Sequence, residues 1–125
     1  MDRWVEGGSG LSERGETPAI GRITVDTDVL RTIARMTALA VPGVVRMTPP
    51  LGLQRILGRE DGVEVTVRDG RVWVELYVVV EAGRNLLALG RQIQAEVTRA
   101  ISDIVGMPVE AVNVHIEDVV SPLQG

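Results

Sequence analysis

The sequence predicts an α+β fold: a two-layer sandwich in which a mixed β-sheet carries two helices on one face. Three observations lead there. Two stretches repeat apolar residues at helical spacing, each with a single apolar stripe that must be buried against something. Two alternating runs flank an Asp-Gly pair, the strongest short hairpin signal. The second helix then separates that hairpin from a last alternating run. A crossover of that length makes the last strand parallel to the second hairpin strand and right-handedly joined. The expected order is strand, helix, short strand, hairpin, helix, strand.

The elements are justified in turn. Residues 1–18 read as a flexible tail, because Gly7, Gly8, Ser9 and Gly10 leave the backbone unrestrained. Trp4 is either solvated there or docked on a partner or membrane interface. One α+β domain is expected over residues 19–120, with a short C-terminal tail at 121–125. Residues 20–25 (Ile-Gly-Arg-Ile-Thr-Val) are short and β-prone. Asp26, Thr27 and Asp28 offer oxygens to a helix start, with Thr27 the expected cap. Val29, Leu30, Ile33, Ala34, Thr37, Ala40 and Val41 form the first stripe, and Pro42 ends the helix. A short extended run follows at residues 43–47.

Residues 51–59 hold Leu53, Ile56 and Leu57 on one side of a possible helical turn, with Arg55 and Arg59 on another. The segment is either a loop helix closing the core edge or an amphipathic contact with a membrane or partner. In the hairpin, a two-residue turn at Asp69-Gly70 sets Arg68 opposite Arg71, Val67 opposite Val72, Val65 opposite Val74 and Val63 opposite Leu76. The valines then share the buried face, while Glu64, Thr66, Trp73, Glu75, Tyr77 and Val79 point away. Asn85 caps a second helix whose stripe is Leu86, Leu89, Ile93, Val97, Ala100, Ile101 and Ile104. Gly106 ends it. In the last strand, from Val109 to Val120, Val112, Val114 and Ile116 face in, and Asn113, His115 and Glu117 face out.

Composition narrows the function. The chain has 125 residues, 45% of them apolar, enough for one core. Phe is absent, so Val, Leu, Ile and Ala must fill that core. There is no Cys, and the single His115 lies on an outward strand position, which leaves no thiolate metal site and no activating base for a nucleophile. No cofactor is expected. Glu64 and Glu75 face each other across the hairpin, as a cation or acid site or as two solvated side chains. The net charge is −4, every basic residue is arginine, and neither GxGxxG nor GxxxxGK[ST] occurs. Nucleic acid is not an expected partner. No apolar run suits a membrane span, and residues 1–10 lack the apolar core of a signal peptide.

What remains is surface. Trp73, Tyr77 and Val79, with Thr66 across from Trp73, form a candidate interface to which Leu53, Ile56 and Leu57 are added. The competing expectation is that the tail or the 48–61 loop folds over this face.

Several blocks resemble the alkaline-shock-protein (envelope stress response) family: Gly21-Arg22-Ile23-Thr24-Val25, Ala40-Val41-Pro42-Gly43-Val44, Gly62-Val63-Glu64-Val65, the strand from Val74 to Glu81, Ile93-Gln94-Ala95-Glu96-Val97, and Val112-Asn113-Val114-His115-Ile116-Glu117. The resemblance runs from about Gly21 to Val119. It implies a bacterial, cytoplasmic protein without catalytic residues, linked to envelope and general stress, in a family whose members are often held near the membrane by a separate anchor protein and sometimes self-assemble. The expectation is a non-enzymatic interaction protein that forms homo-oligomers and binds a membrane-anchored partner, peripheral to the inner face of the membrane and not inserted in it. The alternative is a small module using its sheet face for RNA or a small ligand.

Overall fold

A computed structural model describes residues 20–50 and 61–121. The order is α1 (Thr27–Ala40), β1 (Val44–Met47), β2 (Val63–Arg68), β3 (Arg71–Glu81), α2 (Leu86–Val105) and β4 (Val109–Val120). The expectations for residues 1–18, including Trp4, for Leu53, Ile56 and Leu57, and for the chain beyond Ser121 lie outside the described residues.

The hairpin forms in the expected register, from Arg68↔Arg71 to Val63↔Leu76. Its turn needs two left-handed residues, and Asp69 (φ 53°) and Gly70 (φ 74°) supply them. Strand β3 is the axis of the sheet. Along one side it pairs antiparallel with β2 and then, through Met47↔Val78 and Val44↔Val80, with β1. Along the other it pairs parallel with β4 over nearly its whole length. The sheet is therefore mixed, with β1 and β2 end to end on one flank.

The changeover between β1 and β2 is made at one residue. Tyr77 N donates to Gly62 O (2.9 Å), and Thr48 N donates to Tyr77 O (3.0 Å). Gly62 has φ +73°, and a Cβ there would lie 2.6 Å from Thr48 O and 2.9 Å from Tyr77 O, both backbone atoms. Only glycine fits that crossing without displacement.

Both helices lie on one face of the sheet. Leu30, Ala34 and Ala38 of α1 and Leu89, Ile93, Val97 and Ile101 of α2 recur every four residues and are buried. They meet Val72, Val74, Leu76, Val78 and Val80, all 0% exposed. Asn85 caps α2 as expected, its side chain accepting from Ala88 N at 2.9 Å, and Gly106 closes it in the left-handed conformation.

Three expectations are corrected. The cap of α1 is Asp26, whose carboxylate accepts from Asp28 N at 2.9 Å; Thr27 is already helical. Val29, Ala40, Leu86 and Ile104 are exposed, because each core stripe is narrower than the sequence periodicity allows. Residues 20–25 form no strand: Ile20 and Ile23 are about nine-tenths exposed. The tendency is local, but a strand needs an edge to pair with.

Candidate functional site

The sheet face away from the helices is laid out in cross-strand rungs. Thr66, Trp73 and Ala111 form one rung, and Glu64, Glu75 and Asn113 the next. Tyr77 pairs with His115 in the rung beyond, and Val79 lies between Arg46 and Asp118 in the last. A shift in the β3–β4 register between Val78 and Val79 turns Glu117 out of the ladder.

Polar contacts knit these rungs together. Glu75 is the centre: Asn113 Nδ2 donates to Oε2 at 2.6 Å, and His115 Nε2 lies 2.6 Å from Oε1. With a carboxylate as acceptor, the ring nitrogen is the donor. The imidazole stacks on Tyr77, with centroids 4.6 Å apart and planes 12° from parallel. At the hairpin end the Arg68 guanidinium sits 4.9 Å from the Trp73 ring centroid, within cation–π range, and Arg71 forms an ion pair with Glu110.

The expected site residues have separate fates. Trp73 and Tyr77 are half-buried on this face, and Thr66 is exposed beside Trp73. Val79 also takes an outward strand position, yet it is 2% exposed and stands apart from the main core cluster. It therefore adds no free area to a docking patch. Leu53, Ile56 and Leu57 lie outside the described residues.

Glu64 and Glu75 face each other as expected, and His115 joins them on this face. Glu64 is the register partner of Glu75, and His115 is bonded to it. This pairing was missed because it depends on the register of β4 against β3, which a crossover connection leaves open. Outward positions at 75 and 115 on neighbouring parallel strands were the only available signal. The Asn113 contact depends on the same β4 register, whereas Arg68 lies diagonal to Trp73 within the hairpin, where the expected register already brought the two within reach. Chemically, the cluster holds side chains in place: both oxygens of Glu75 are engaged, and the imidazole is fixed by an acid and a ring. Among the described residues no group of three or more His, Cys, Asp or Glu is arranged to hold a metal ion, and no helix is long and apolar enough to cross a membrane.

Comparison with known proteins agrees with the sequence resemblance. The chain is 31% identical over 111 residues to Spy1535 of Streptococcus pyogenes, covering 84% of each chain. It is 24% identical over 106 residues to YloU of Bacillus subtilis, covering 79% of this chain and 88% of YloU. Among solved structures, MamM-CTD 215-293 superposes with a TM-score of 0.48 at 14% identity, over 74% of this chain and 99% of that one. The family model for alkaline shock protein 23, a family of cell envelope-related function, matches residues 15–121. The chain thus belongs to the alkaline shock protein 23 family.

Proposed function

We propose that this protein serves the cell envelope as a non-enzymatic interaction module, self-associating through its open sheet face and binding a membrane-linked partner from the cytoplasmic side. The observation that carries the reading is the half-buried Trp73 and the Tyr77–His115 stack on a sheet face opposite both helices. Trp and Tyr are enriched at binding hot spots because they bury large areas with little loss of side-chain freedom.

Charge supports a two-fold arrangement. Arg68 and Arg71 lie one rung to one side of Trp73, and Glu64 and Glu75 one rung to the other. A two-fold axis through the Trp73 rung sets the arginines of each copy against the glutamates of its partner, the self-complementarity that an isologous interface needs. The Glu75–His115 pair belongs to that surface as a positioning device: it fixes the imidazole, and through it the tyrosine ring, at the interface.

The test is the oligomeric state of Trp73→Glu and Tyr77→Glu chains by size exclusion with light scattering, alongside capture of envelope proteins from the native host. Loss of assembly with an unchanged circular dichroism spectrum is the expected result. Wild-type assembly in both variants, with the same captured partner, would overturn the interface.

A further inference from the structure

Two unpaired features lie in different parts of the molecule, and each has what the other lacks. The first is the β-prone segment at residues 20–25, which forms no strand of its own. Ile23 is 92% exposed and Val25 43% exposed, and in a strand these two would share one face. The second is the outer edge of β4, which among the described residues pairs only with β3. Beside that edge the first turns of α2 and the helix-facing side chains of β4 leave a mainly apolar cleft of about 420 Å³, lined by Leu86, Leu87, Gly90, Val114 and Ile116, with Arg91 and Gln94 also bordering it. Leu87 is 67% exposed there. At the cleft's rim Gln94 Nε2 donates to Val112 O at 3.1 Å, so α2 reaches the β4 backbone.

An open strand edge beside an apolar, helix-walled cleft is the geometry of strand addition. The edge supplies backbone partners, and the cleft takes alternate side chains. We propose that residues 20–25 of one copy add as a strand to the outer edge of β4 in a second copy, placing Ile23 and Val25 against Leu86, Leu87, Val114 and Ile116. The occupant is a β-prone segment of the right length that the fold leaves exposed. It must come from another copy because Val25 directly precedes Asp26, the cap of α1. Helix α1 packs over β1 and β2 and is tied near its start to Asp61 by Arg31 at 2.5 Å. With no linker between residue 25 and that helix, a copy cannot lay its own segment along the far side of β4, three strand spacings or about 14 Å from β2.

Donor and acceptor are different surfaces, so each copy can give and receive at once. Such a contact closes as a reciprocal pair or extends as a chain. It is separate from the sheet face and deepens the self-association reading without using Trp73 or Tyr77.

The natural chain has no cysteine, so engineered thiols report cleanly. An Ile23→Cys chain and a Leu87→Cys chain of different size are mixed and mildly oxidised; a disulfide requires Cα atoms within about 7 Å. The expected result is a mixed disulfide formed at least tenfold faster than with a Met36→Cys chain, which carries an exposed thiol on α1 as the collision control. The rate should persist when both chains also carry Trp73→Glu, which separates this contact from the sheet face. A rate equal to the control, loss of the mixed disulfide in the Trp73→Glu background, or an intramolecular disulfide as the sole product of an Ile23→Cys/Leu87→Cys double variant would each overturn the proposal.

Discussion

The two faces of β3 differ in kind although they alternate along one strand. Toward the helices stand Val72, Val74, Leu76, Val78 and Val80, all 0% exposed and free of polar atoms. Away from them stand Trp73, Glu75 and Tyr77, half-buried, held by a carboxylate, an imidazole and a guanidinium. Branched aliphatics on the covered face are fixed by packing, a cooperative and non-directional force. Among the described residues no helix covers the open face, and its side chains are oriented pairwise by directional contacts, each worth little where water competes. Stability thus resides mainly on the covered face.

The difference can be tested by substitution. The largest effect is expected from Leu76→Ala, which opens a cavity beneath both helices and should cost about 2–5 kcal/mol in urea unfolding. A loss under 1 kcal/mol would mean that the covered face is loosely packed. Val79→Thr comes next and probes the exception. Its outward position suggests tolerance, but at 2% exposure a hydroxyl would be buried, for a loss of about 1–3 kcal/mol. A neutral result would return Val79 to the solvated surface. Glu75→Gln should cost about 1 kcal/mol, since its partner His115 is 41% exposed and water replaces much of what is lost. A double-mutant cycle with His115→Gln should recover most of that as coupling energy. Arg68→Ala is expected to be smallest, about 0.5 kcal/mol, read most easily as a change in Trp73 fluorescence. If it rivalled Leu76→Ala, the division between the faces would fail.

Most of the covered face was legible in the sequence. The Asp69-Gly70 turn fixes the hairpin register, and the valine alternation agrees with it, since a slip of either strand by one residue would bury Glu64 or Glu75. Asn85 and Gly106 bracket α2 with local chemistry that needs no tertiary information. The open face was legible in membership but not in contact: Trp73, Tyr77, Glu75 and His115 were placed on it, while the Glu75–His115 bond needed the β4 register. Val79 takes the outward position that alternation indicates, but alternation says nothing of what lies above a side chain, and its burial was not readable from it. The strand expected at residues 20–25 reflects propensity without a neighbour, and Asp26 rather than Thr27 caps α1 because either oxygen serves and backbone geometry decides.

The backbone of Tyr77 has a consequence for variation. Its N–H and C=O hold both margins of the excursion between Thr48 and Gly62, so the chain departs and returns at a single fixed point. Both bonds are made by backbone atoms, so replacing the Tyr77 side chain leaves the inner ends of β1 and β2 where they are. A position that clamps both strand ends with its main chain can change its ring while the register of β3 stays as it is.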